Sequence, residues 1–211
     1  MHGVLFTELR EKRGLNYGDY AYAEHFEQEG WSSISRVNIP RSQQDMSIWI
    51  RPVEPQNAVF ATRGAVHFLK ALLAAPPPQD KLDTAKGFLV GYTRIWEQTD
   101  QRRLGWAIDD LLYGTPQFLE RYREALKVLT PAEVQAAAAR HLSADNLNFV
   151  FVTKDAEGLA EALKSRAPSP ISYLTPKAPE VLELDKVLAK EPLPIPSSQV
   201  RVIDAATVME H

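Results

Sequence analysis

Proline decides where this chain can be regular. The ring fixes φ, removes a backbone donor and biases the preceding residue away from helix, so each proline inside a candidate element is a break or a boundary. The chain has 15 prolines in 211 residues. Pro76, Pro77 and Pro78 must end whatever precedes them. Pro168, Pro170, Pro176, Pro179, Pro192, Pro194 and Pro196 leave little uninterrupted sequence near the C-terminus. The expectation is a domain over 1–166 and a proline-rich, extended tail over 167–211.

Between these breaks the apolar spacing is mostly helical. Leu5, Phe6 and Leu9 make a short stripe that Lys12, Arg13 and Gly14 close, a basic last turn followed by glycine. Val59, Phe60, Val66, Leu69, Leu72 and Leu73 predict an amphipathic helix up to the proline run. Helices follow over Leu82–Trp96, over Trp106–Tyr113 with Gly114 as its stop, and over Phe118–Leu129. Thr130, Pro131 and Glu133 form a capping box with proline at N1, which opens a helix through His141. Glu157–Ser165 reads as a further short helix.

Strand signals are fewer. Met46, Ile48 and Ile50 alternate with Ser47, Trp49 and Arg51. The aromatic-rich stretch after Tyr17, the segment SISRVNIP and the run NFVFVT at 148–153 also have strand composition. Helices gathered against strands in this order predict an α+β domain, an antiparallel sheet with helices packed on one side.

Composition removes several function classes. With 45% hydrophobic residues the chain can bury a substantial core, and its net charge of −3 leaves no excess of cations for phosphates. A nucleic-acid partner is therefore not expected. No apolar run reaches the roughly 20 residues of a bilayer span. Absence of cysteine removes disulfides and thiolate chemistry.

The five histidines, His2, His25, His67, His141 and His211, never lie three or four apart, so no helix presents two imidazoles to one metal. Neither H-E-x-x-H nor H-x-x-E-H occurs. His25 with Glu27 and Glu29 reads as a solvated strand end, His67 and His141 as structural helix residues, and His211 as consistent with a tag remnant. Asp109 and Asp110 point about 100 degrees apart on a helix, which suits solvation or ion pairing better than a shared proton. Nucleophile elbows and phosphate loops are also absent.

One segment remains with chemistry to offer. If the chain reverses at Gly14, the guanidinium of Arg10 and the phenol of Tyr17 converge on one peptide carbonyl, an arrangement that orients a substrate or stabilises an oxyanion. The plainer alternative is that Arg10 complements the helix dipole and Tyr17 packs in the sheet.

That segment, Phe6-Thr7-Glu8-Leu9-Arg10-Glu11-Lys12-Arg13-Gly14-Leu15-Asn16-Tyr17, resembles the L-R-x-K-x-x-L-x-Y signature of the C-terminal, zinc-free domain of insulinase-like (pitrilysin or processing-peptidase type) zinc metallopeptidases. The resemblance continues through LTPAEVQAAAARHLSADNLNFVFVTKD and into the tail EVLELDKVLAKEPLPIP, which is similar to the C-termini of bacterial members. It implies a domain truncated at its front, because the family normally places a strand and helix before this motif.

It also implies a role. The partner is a zinc-bearing N-terminal half or subunit, joined in a homo- or heterodimer or fused, and Zn2+ sits in that partner. Arg10 and Tyr17 bind the peptide substrate, no catalytic residue or metal lies in this chain, and the whole hydrolyses peptides as a zinc metalloendopeptidase. Bacterial membership implies the periplasm, otherwise the cytoplasm. Two alternatives accompany this reading. One is a catalytically inactive scaffold or partner subunit; the other is a generic α+β binding domain, in which the Tyr17 hydroxyl points away from Arg10.

Overall fold

The computed structural model describes residues 3–23 and 45–208. The SISRVNIP strand, the His25–Glu27–Glu29 cluster, His2 and His211 lie outside the described residues. What is described is α+β: a two-stranded antiparallel sheet of β1 (Asn16–Ala23) and β2 (Met46–Val53), with helices making up most of the rest. These residues divide into two compact units. One holds 3–21, 48–73 and 141–208; the other holds 74–140 with the strand ends 22–23 and 45–47.

The first unit opens on a π-helix, Phe6–Glu11, where the sequence predicts an ordinary helical turn. Its end is a nested pair of bonds, Gly14 N–H to the Arg10 carbonyl at 2.7 Å and Leu15 N–H to the Leu9 carbonyl at 3.0 Å. This is the Schellman arrangement with each bond one residue wider, as the π-turn requires. Gly14 sits at φ 68°, where an L side chain would be strained, so the reversal expected at this glycine is present.

Leu9 and Leu15, on either side of that turn, are both buried. They meet Phe60 and Ala61 of α1 (Ala58–Ala74) and Leu188 and Ala189 at the end of a C-terminal helix, while Ile50 and Val53 of β2 pack against the same cluster. Gly64 of α1 faces this contact. A Cβ there would lie 2.9 Å from Leu9 Cδ2, so the absence of a side chain is what lets the π-helix approach.

The second unit is helical: α2 (Gln79–Ile95), α3 (Asp100–Tyr113), α4 (Phe118–Val128) and α5 (Pro131–His141). The predicted capping box is made, with Glu133 accepting from the Thr130 N–H at 2.8 Å and the Thr130 hydroxyl accepting from the Glu133 N–H at 3.3 Å. α3 starts earlier than its apolar residues suggested, because Thr99 caps it by accepting from the Arg102 N–H. Asp110 accepts from the Phe118 N–H at 3.3 Å, which gives one of the paired aspartates a capping role at α4. Six rings run through this unit in sequence, Phe88, Tyr92, Trp96, Trp106, Phe118 and Tyr122, with neighbouring centroids 5.2–6.0 Å apart.

Two local expectations differ from the structure. Among the described residues, 148–153 pair with no strand. Their exposure still alternates as in a strand, Phe149 and Phe151 half-buried against Val150 and Val152 at 88% and 97%. The region after residue 167 is not extended throughout. After α6 (Ala156–Ser165), α7 (Pro179–Leu188) is a ten-residue helix that begins with proline at a position needing no N–H and places Val181, Asp185 and Leu188 on its buried face.

Candidate functional site

Arg10 projects from the π-helix and Tyr17 from the second residue of β1. The Gly14 reversal brings them together: the guanidinium carbon lies 4.2 Å from the Tyr17 ring centroid and 4.6 Å from that of Phe6. Phe6 precedes Arg10 by four residues, the spacing at which side chains on one helical face meet. Contact with Tyr17 is made through the ring face. A cation held by aromatic faces keeps its in-plane N–H donors for other acceptors, and among the described residues no hydrogen bond occupies them. Tyr17 itself is 72% exposed.

Asn16 and Asp19 flank this pair. Asn16 donates to Asp19 Oδ1 at 2.5 Å and to the Gly18 carbonyl at 3.2 Å. Burial raises the Asp19 carboxyl above its ordinary value, partly offset by the Asn16 hydrogen bond and the Arg10 charge. Among the described residues the buried Asn16 Oδ1 and Asp19 Oδ2 have no hydrogen-bond partner.

Behind the pair lies a buried polar network. Arg13, with a fully buried side chain, donates from Nε to Asp185 Oδ1 at 2.7 Å and from Nη1 to the Glu8 carbonyl at 2.7 Å and Glu8 Oε2 at 3.0 Å. Lys12 pairs with the other oxygen of Glu8. The second oxygen of Asp185 accepts the Tyr173 hydroxyl at 2.7 Å. Burial, and then that carboxylate, push the Tyr173 hydroxyl well above the ordinary tyrosine value. Two cations and two carboxylates leave the network neutral, as burial demands.

A second polar cluster ties α1 to the C-terminal segment. Arg63 donates to the carbonyls of Ala189 and Ala167 and to the Ser169 hydroxyl. His67 Nδ1 lies 2.9 Å from Glu191 Oε2, and Lys70 donates to Glu191 Oε1 at 2.7 Å. Burial alone would raise the Glu191 carboxyl; its bonds to Lys70 and His67 outweigh that and hold it below the usual carboxylate value.

Sequence reasoning singled out Arg10 and Tyr17, and the structure places them in contact. It did not find Phe6, Asp19, Arg13, Tyr173 or Asp185. Phe6 was available from its four-residue spacing to Arg10, and Asp185 from its helical spacing to Val181 and Leu188. Among the described residues no three His, Asp or Glu side chains gather as a metal site. A cleft of about 500 Å3 lies in the helical unit, lined by Arg94, Glu97, Trp106, Asp110, Arg123 and Lys127 among others; its cations and carboxylates balance, and Glu97 already accepts from Arg123. No helix among the described residues is long and apolar enough to cross a membrane. Compared with family models, with curated proteins and with solved structures, the chain finds no match in any of the three.

Proposed function

We propose that this chain is the zinc-free, substrate-binding part of an insulinase-like metalloendopeptidase, with Arg10 and Tyr17 holding an extended peptide. The observation that carries the reading is Arg10: a guanidinium held between two aromatic faces, its donors unoccupied among the described residues, next to an exposed phenol. Two adjacent donors of this kind suit the carbonyl oxygens of a peptide backbone, which offer acceptors at regular intervals and no charge.

Hydrolysis itself lies outside this chain's residues. The reading assigns zinc to a partner half or subunit, and assigns to this chain the orientation of the scissile segment. The test is peptide hydrolysis by the chain alone and after mixing with the zinc-bearing half of its parent. Activity confined to the mixture, and reduced at least tenfold by Arg10→Ala, is the expected result. Full activity in mixtures containing Arg10→Ala and Tyr17→Phe chains would reduce this part to a scaffold.

A further inference from the structure

Arg10 lies on the π-helix and is half-buried, whereas Arg13, three residues on in the turn that closes that helix, has a fully buried side chain. What buries Arg13 comes from 172 residues further along the chain. Asp185 and Leu188 are three residues apart on α7 and therefore share a face. Asp185 takes Arg13 Nε at 2.7 Å, and Leu188, fully buried, shares a core with Leu9. The two gripped residues, Leu9 and Arg13, bracket Arg10. One contact fixes where a helix sits; a second, on the turn that closes it, also restrains its rotation about its axis. Rotation matters here because a small turn of the π-helix becomes a large displacement at the end of an arginine side chain.

We infer that α7 is the positioning element for the Arg10–Tyr17 pair, with Arg13, Asp185 and Tyr173 as positioning residues and the C-terminal segment as an integral support of the binding surface; its bearing on substrate rests on the peptide-binding reading above. The network is suited to this role. Arg13 Nη1 takes the Glu8 carbonyl, so the arginine caps the very helix that carries Arg10. Among the described residues Arg13 Nη2 has no hydrogen-bond acceptor, and Glu8 and Asp185 are the carboxylates that pair with Arg13. Tyr173 in turn occupies the free oxygen of Asp185 and holds that carboxylate in one orientation. Gly64 completes the clamp from the α1 side, since any side chain there would press on Leu9.

The test is the Arg Nε–Hε spectrum of the full chain, labelled with 15N-arginine. In the wild type the ring faces of Phe6 and Tyr17 displace the Arg10 resonance upfield. Asp185→Asn is expected to abolish that displacement, Tyr173→Phe to reduce it and Asp185→Glu to restore part of it, whereas Lys186→Ala, on the exposed face of α7, leaves it unchanged. Should Asp185→Asn fail to fold, Tyr173→Phe carries the test. An Arg10 resonance identical in wild type and Tyr173→Phe, or displaced equally by Lys186→Ala, would overturn the inference. Binding of a fluorescein-labelled pool of random dodecapeptides separates the two readings. No binding, with the Arg10 responses as expected, removes the peptidase reading and leaves this one. Binding that depends on Arg10 but ignores Asp185→Asn and Tyr173→Phe, with an unmoved Arg10 resonance, removes this one alone.

Discussion

The unit built on the π-helix, α1 and α7 buries Arg13, Arg63 and Asp185, whereas among the described residues of the α2–α5 unit no charged side chain is buried. That second unit is organised by stacked rings instead, and it leaves Leu104, Ile108, Leu111 and Leu112 of α3 46–85% exposed. The contrast is one of directionality. Stacked rings tolerate small slides because each contact is weak and broad. A buried arginine tolerates almost none, because a lost hydrogen bond leaves an uncompensated charge. Fixed geometry is thus concentrated beside Arg10 and Tyr17, the residues for which position matters most.

Breaking the buried ion pair tests that contrast most severely. Arg13→Met leaves Asp185 buried beside a hydroxyl with no cation, and should destabilise the first unit by about 4 kcal/mol, the range for removing one partner of a buried pair. Chemical denaturation followed by hydrogen exchange will show whether the loss is confined to residues 3–21, 48–73 and 141–208. In the second unit, Trp106→Leu removes the ring between Trp96 and Phe118, two contacts each worth about 1 kcal/mol, and should cost about 2 kcal/mol by the same measurement.

Alkaline pH sharpens the comparison. Tyr173 has a folded pKa raised above its unfolded value of about 10. Its contribution to stability is therefore complete below about pH 10 and is lost as pH rises through the folded value. Tyr122, in the ring stack, is raised by burial alone. Denaturation midpoints between pH 9 and 12 should fall less steeply in Tyr173→Phe than in wild type, and Tyr122→Phe should flatten the slope less. The smallest effect expected is at a helix end: Thr99→Ala removes the α3 cap at a cost of about 0.5–1 kcal/mol, measured as a reduced midpoint.

Much of the helical framework was legible because its signals are local. Apolar spacing placed α1, α2 and α4, the capping box opened α5, and Gly14 and Gly114 marked the ends they serve. What escaped depends on partners distant in sequence. Arg13 reads locally as a cation that suits a helix C-terminus; only Asp185, far along the chain, makes it a buried ligand of that helix. Prolines 176 and 179 obscured α7, although Pro179 occupies the first turn, where proline is tolerated. The run at 148–153 has strand residues and strand-like alternation, but a ladder needs a second strand in register, and no local pattern supplies one. Of the candidate site, Arg10 and Tyr17 were singled out by the resemblance of their segment, with the turn at Gly14 allowing them to meet, while their aromatic clamp and buried support were not foreseen.

The most direct test of the central claim is the affinity of the intact chain for an extended peptide, read as fluorescence anisotropy with the labelled dodecapeptide pool. Wild type should bind saturably, Arg10→Ala at least about tenfold more weakly, a loss of about 1.4 kcal/mol, and Lys186→Ala no differently from wild type. Tyr17→Phe keeps the ring that clamps Arg10 and removes only the hydroxyl, so an intermediate loss is expected if the phenol donates to the peptide. Equal binding by wild type and Arg10→Ala would contradict the account.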